Sequence, residues 1–149
     1  MGLDMYLTAK RYLSPYDADQ KVLAEKIGTI PELKNGLMRV KEVSCDMMYW
    51  RKANAIHSWF VKNVQDDTDD CGSYWVSAEQ LIQLRKECEL AWKHKDQAAT
   101  ILPTKEGFFF GSTEIDDGYF QDISETIFAL DKVEQLEEDG WDFYYSSSW

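Results

Sequence analysis

The chain has 149 residues, is 44% hydrophobic and 14% aromatic, and carries a formal net charge of −11. That length fits one domain able to bury roughly two-thirds of its unfolded surface, and this apolar content excludes disorder as a global state. No stretch approaches the roughly 18 apolar residues of a membrane-spanning helix, and the N-terminus has neither the basic region nor the apolar run of a signal peptide, so a cytoplasmic protein without membrane association is expected.

The charge is unevenly placed. Residues 1–63 hold ten Lys/Arg against seven Asp/Glu, a balance of +3, whereas residues 64–149 hold six against twenty, a balance of −14. An acidic surface discourages direct nucleic-acid binding. It is either a solvated face or a docking surface that imitates nucleic acid for a basic partner. Three cysteines (Cys45, Cys71 and Cys88) with no close pair argue against a disulfide framework and against a CxxC metal site. With His57 and His94 the only histidines, neither a metal nor a cofactor is expected.

Gly2 to Leu13 alternates Leu3, Met5, Leu7, Ala9, Arg11 and Leu13 with Asp4, Tyr6, Thr8, Lys10 and Tyr12, the period-two pattern of a strand. Ser14-Pro15-Tyr16-Asp17 reads as a turn, after which Asp17 or Asp19 caps a short helix through Val22, Leu23 and Ile27 that stops at Gly28. Pro31, Asn35 and Gly36 mark a loop over 29–36. Leu37 to Met48 reads as a second long strand with neither face cleanly apolar.

From Tyr49 the spacing predicts a helix, with Trp50, Ala53, Ile56, Phe60 and Val64 on its core-facing stripe and Arg51, Asn54 and Ser58 on the stripe beside it. Asp66 to Gly72 is an acidic loop that lacks the ligand spacing and twelfth-position Glu of a calcium loop. Tyr74-Trp75-Val76 is extended. Ser77-Ala78-Glu79-Gln80 matches a capping box, and the helix it opens carries Leu81, Leu84, Cys88 and Trp92 inward, ending before Pro103. Gly107 to Thr113 reads as a brief aromatic strand running into a turn, with Thr113 to Asp116 capping a long helix through Phe120, Ile123, Ile127, Leu130 and Val133 that ends near Gly140. Trp141 to Trp149 reads as a last strand. Residues 1–149 are therefore expected to form a single α+β domain, a small antiparallel sheet packed with about three main helices.

Candidate chemistry gathers around Arg51, Lys52, Asn54 and His57. Arg suits bidentate phosphate contact, Asn can read a base edge, and Tyr49 or Trp50 can stack on a ring. Ser112 and Thr113 at a helix start are candidates to hold an anion. The plainer alternatives are solvated cations, an Asn54 that satisfies backbone groups, a hydrogen-bonded core His57 and an ordinary N-cap. His57 with Cys71 and Asp70 would make a nucleophile, base and orienting carboxylate if folded together. GxxxxGK[ST], GxGxxG, HExxH and GxSxG do not occur in the chain.

Several segments occur in a distinctive order: Met1-Gly2-Leu3-Asp4-Met5-Tyr6-Leu7, then Tyr49-Trp50-Arg51-Lys52-Ala53-Asn54-Ala55-Ile56-His57, then Asp69-Asp70-Cys71-Gly72. Leu102-Pro103-Thr104, Gly107 to Thr113, Phe143-Tyr144-Tyr145 and Ser147-Ser148-Trp149 follow. Together, over nearly the whole chain apart from about Pro15 to Lys34, they resemble a family of small proteins of tailed bacteriophages and prophages for which no activity is established. The resemblance implies an accessory product in the cytoplasm of an infected bacterium. The leading expectation is a protein that sequesters a small anionic, nucleotide-like ligand through Tyr49, Trp50, Arg51, Asn54, His57, Ser112 and Thr113, without turnover, to counter host defence. The alternatives are an acidic protein that binds and inhibits a host protein, and an enzyme acting on a nucleotide-like substrate. Exposed aromatic edges add homo-oligomerisation as an expectation.

Overall fold

The computed structural model describes residues 2–29 and 38–149. The alternation after Gly2 produces strand β1 (Asp4–Tyr12), with Met5, Leu7 and Ala9 buried and Tyr6 and Tyr12 facing solvent. Strands β2 (Glu42–Arg51), β3 (Ser73–Val76) and β4 (Asp142–Ser148) join it in an antiparallel sheet of order β2-β1-β4-β3. The aromatic C-terminus is thus inserted beside the N-terminal strand, where Phe143 and Tyr145 are buried.

Helices α1 (Ala18–Ile27), α2 (Asn54–Asn63), α3 (Ala78–Lys93), α4 (Ala98–Ile101), α5 (Asp117–Ala129) and α6 (Val133–Glu138) complete the α+β fold. The sheet face carrying Met5, Leu7, Phe143 and Tyr145 joins residues of α2, α3 and α5 in one core. Phe60 of α2 stacks on Tyr145 with ring centroids 3.8 Å apart, a large apolar burial of the kind that contributes most to stability. The opposite sheet face is open and carries Tyr6, Tyr49 and Trp75. No helix among the described residues is long and apolar enough to cross a membrane.

Local signals in the sequence predict several boundaries well. Asp17 accepts from Gln20 N as the cap of α1, and Ser77 and Gln80 form a reciprocal capping box at α3, satisfying donors that a bare helix end leaves orphaned. The expected loop over 29–36 falls almost entirely outside the described residues.

Four expectations differ. The helix expected from Tyr49 starts at Asn54: Met48, Tyr49, Trp50 and Arg51 instead pair with Leu7, Tyr6, Met5 and Asp4, and Lys52 turns the chain in a left-handed conformation (φ 62). Strand pairing also moves β2 C-terminally, to 42–51, with a register shift opposite Leu7 and Thr8 that resolves its ambiguous facing. Trp92 lies at the surface beside Lys95 and Phe120, and Ala91 takes the buried position in α3.

The third difference is Gly107 to Gly111, which is a turn. Phe110 N donates to Gly107 O at 3.1 Å, Gly111 has φ +86, and a Cβ at Gly107 would lie 2.5 Å from the Phe110 ring. The turn buries Phe110 and leaves Phe108 at its tip 94% exposed. Fourth, the long helix expected before Gly140 is two helices. Between them the Arg85 guanidinium pairs with the Asp131 carboxylate at 2.9 Å and reaches its carbonyl at 3.5 Å.

Candidate functional site

The donor cluster of the sequence separates into three places. Trp50 is buried, and its indole Nε1 donates to Thr126 Oγ1 at 2.8 Å, so its ring belongs to the core and offers no stacking face. Tyr49 points the other way, onto the open sheet face, where its hydroxyl donates to Asp4 and its ring lies 5.3 Å from Tyr6. Arg51 and Lys52, at the turn between β2 and α2, open onto a cleft.

That cleft has a volume of about 310 Å³ and runs between the β2–α2 turn and the first turns of α5. Its lining combines Arg51, Lys52, Thr104 and Ser112 with Glu114, Asp116, Gln121 and Asp122. The stem of Lys52 runs close to two glycines: a Cβ at Gly2 would lie 3.3 Å from its Cε, and one at Gly111 would lie 3.0 Å from its Cβ. Asp116 is fixed as the N-cap of α5, accepting from Tyr119 N at 3.0 Å. Neither Arg51 nor Lys52 has an ion-pair partner among the described residues, although carboxylates line the same cleft. Burial raises the Asp122 carboxyl to a pKa of about 6, and neighbouring Glu125 and Asp116 push in the same direction.

Asn54 also lines the cleft and is 3% exposed. Its amide nitrogen donates to Phe110 O at 3.0 Å and Ser112 O at 2.8 Å, and its amide oxygen accepts from Lys105 N at 3.2 Å. Both of its N–H donors and one acceptor site go to the 105–112 backbone, so Asn54 shapes the cleft and has no donor left with which to read a base. Ser112 lies at the rim, five residues before the start of α5, so the expected anion cradle at a helix start does not form there; its hydroxyl accepts from Glu114 N. Thr113 is exposed and contributes a carbonyl that accepts from Thr104 Oγ1 at 3.1 Å.

His57 is fully buried, away from the cleft-lining residues, at the centre of a polar network. Its Nδ1 lies 2.7 Å from the Tyr145 hydroxyl and its Nε2 lies 3.0 Å from Asp69 Oδ2. Asp69 also accepts from Lys105 Nζ at 3.3 Å and from the Trp149 indole at 3.1 Å. Burial lowers the His57 pKa despite the hydrogen bond to Asp69, so the ring is neutral. A neutral ring satisfies both contacts when Nε2–H donates to Asp69 and Nδ1 accepts from Tyr145. Burial works to raise the Asp69 carboxyl, and donors on His57, Trp149 and Lys105 outweigh it and hold the pKa low.

The set His57, Cys71 and Asp70 is not assembled. Asp70 accepts from Gly72 N and from the Tyr74 hydroxyl, and Asp69 is the carboxylate that meets His57. Both ring nitrogens of His57 are already engaged, which leaves no base for a thiol. Two of the acidic residues in the 66–70 loop are therefore committed to internal bonds and do not form a free acidic patch.

The sequence reading missed Asp69, Lys105, Tyr145 and Trp149 in this network and Asp122 in the cleft. Asp69 and Tyr145 lie within segments already singled out, but no spacing rule connects positions 57, 69 and 145. Among the described residues, no group of three or more His, Cys, Asp or Glu side chains is placed to hold a metal ion. A cleft of about 420 Å³ borders α1, Met38, Arg39 and Val40, and a more open one of about 840 Å³ lies between β2 and α5–α6. The first is also lined by two cations, Lys21 and Arg39, but there the Arg39 guanidinium already donates to Leu13 O at 2.9 Å.

A prediction follows from Asp122. Its folded pKa lies above the unfolded value of 3.8, so ionising it opposes folding, and the penalty grows as pH rises from about 4 to 6 and persists above. Asp122→Asn is expected to stabilise the protein at pH 7.5 by about 1–2 kcal/mol, a figure discounted for partial solvent exposure, and to have little effect at pH 4. Urea unfolding of the two proteins at both pH values checks this.

Comparison with protein-family models, with curated proteins and with solved structures yields no match for this chain. The fold and the two sites described above therefore carry the functional argument alone.

Proposed function

We propose that this protein binds a small anionic, nucleotide-like ligand in the Arg51–Lys52 cleft and holds it without turnover. The observation that carries the reading is the pair of cations at a tight turn, without ion-pair partners among the described residues, in a cleft also lined by Thr104 and Ser112. A guanidinium and an ammonium in a concave site recognise phosphate or carboxylate oxygens through charge-assisted bonds. The volume lies at the small end of ligand sites, about 300–1,000 Å³, and suits one mononucleotide-sized molecule.

Holding in preference to turnover is supported by where the reactive side chains lie. His57 is buried with both nitrogens engaged, and Cys71 lacks the base and orienting carboxylate that would activate it. The phage resemblance gives this binding a setting: an accessory protein in the infected cell that removes a signal used by host defence.

The test is a thermal-shift screen of purified protein against mononucleotides, linear and cyclic, with each hit recovered and analysed for chemical change. A ligand at about 100 times its Kd stabilises by roughly 2.7 kcal/mol, on the order of 5–10 °C for a domain of this size. Arg51→Met is expected to weaken any hit about 10–100-fold, the loss of one charge-assisted bond. Undiminished binding by a folded Arg51→Met protein would remove the cleft from consideration.

A further inference from the structure

The Arg51–Lys52 cleft contains opposite charges that do not meet. Arg51 and Lys52 stand without ion pairs among the described residues, and so do Glu114, Asp116 and Asp122. Flexible Lys and Arg side chains ordinarily close onto a carboxylate within reach. Here they do not: the Lys52 stem runs beside Gly2 and Gly111, Asp116 is occupied as a helix cap, and Asp122 lies on α5. Carboxylates also make the cleft a poor receptor for a plain anion, because inorganic phosphate drawn to Arg51 would sit against negative groups. A molecule that suits both sets is anionic at one end and presents hydrogen-bond donors at the other.

Asp122 is the carboxylate that narrows the chemistry. It is half-buried, no hydrogen bond or ion pair to its carboxylate is found among the described residues, and the charges that act on it are those of Glu125 and Asp116, both repulsive. A carboxylate with two unused oxygens and restricted water access is best satisfied by two parallel N–H donors. Among the nucleobases, guanine offers that pair on its Watson–Crick edge, at N1–H and the 2-amino group. Adenine sets an acceptor beside its amino group, so the carboxylate gains one bond and faces one repulsion.

Resting on the ligand-binding reading above, we infer that the ligand is a guanine nucleotide, with its phosphate at Arg51 and Lys52 and its base edge on Asp122. Gln121, Thr104 and Ser112 add neutral polar groups to the lining. The shared chemistry, an anion joined to a paired N–H edge, also occurs in an arginine-like zwitterion, and the experiment separates the two.

Titration calorimetry of GMP, AMP, XMP and L-arginine into the parent protein, Arg51→Met and Asp122→Asn tests this. The parent is expected to bind GMP at least 10-fold more tightly than AMP. Asp122→Asn replaces an acceptor pair by one acceptor and one donor, which matches N1–H and the 2-oxo group of xanthine. That variant is therefore expected to lose at least 10-fold for GMP and to gain for XMP, a reversal that a purely structural effect of the substitution does not produce. Arg51→Met is expected to weaken GMP and XMP alike. Equal binding of GMP and AMP, both weakened by Arg51→Met, overturns the base assignment and leaves the anion site standing. Binding of L-arginine alone overturns the nucleotide assignment in favour of a zwitterion, and absence of binding by all four overturns both this inference and the reading on which it rests.

Discussion

His57→Ala is expected to destabilise the protein by about 3–5 kcal/mol, measured by urea unfolding at pH 7.5. The substitution leaves a cavity in a closed site, where His57 and Tyr145 are both fully buried. It also strips the His57 acceptor from the Tyr145 hydroxyl, which burial raises well above the ordinary phenol range and so keeps as a protonated donor. A buried donor left unpaired costs about 1–3 kcal/mol beyond the lost packing. Asp69 keeps Lys105 and Trp149 as partners, so the loss concentrates on the contact between α2 and β4. A loss below about 1 kcal/mol would show that the network is ornamental to stability.

The same residue sets an acid response. Because the folded pKa of His57 lies below its unfolded value, the unfolded chain takes up a proton that the native state resists once pH drops below about 6.5. Stability from this group is therefore complete above pH 6.5 and declines on acidification. Asp122 works in the opposite sense, becoming less unfavourable as pH falls below about 6. In the parent the two partly cancel. Asp122→Asn should expose the His57 contribution and make stability fall more steeply between about pH 6.5 and 5. In the double variant with His57→Gln that slope should flatten again.

Asn54→Ala is the second large effect, expected at about 2–4 kcal/mol. One side chain satisfies Lys105 N, Phe110 O and Ser112 O, holding together both ends of a turn whose middle anchors Phe110 beside His57. Truncation unpairs three backbone groups, Phe110 O in a buried setting and Ser112 O and Lys105 N in part-buried ones. Because Thr104 and Ser112 line the cleft from either side of this segment, the same change is expected to loosen the ligand site. Hydrogen exchange resolved along the chain checks the mechanism: protection should fall most over residues 104–113. Unchanged exchange there, with stability intact, would rule out the clamp.

Much of the fold was legible because its signals are local. Period-two alternation marks β1 and the C-terminal strand, and Asp17 and Ser77 with Gln80 mark helix starts, since each rests on bonds or burial within a few residues. The stretch around Trp50 was misread for the complementary reason. Trp50, Ala53, Ile56 and Phe60 satisfy a helical spacing, but the hydrogen bonds that decide the matter come from β1, more than forty residues away. Aromatic content likewise suggested a strand at Gly107 to Thr113, where the left-handed Gly111 and the anchoring of Phe110 make a turn.

The sequence by itself determined an acidic α+β protein with its two chain ends in strands, and it drew attention to Arg51, Asn54, His57 and Ser112. It did not decide what those side chains do. Asn54 and His57 proved to be internal fasteners because their partners, from Asp69 to Tyr145, lie on segments that only folding brings together. Arg51 stands in a cleft because the sharp turn at Lys52 faces carboxylates contributed by Glu114 and α5. Which polar groups are satisfied within the chain, and which are left for a ligand, is a property of long-range contacts, and no local pattern encodes it.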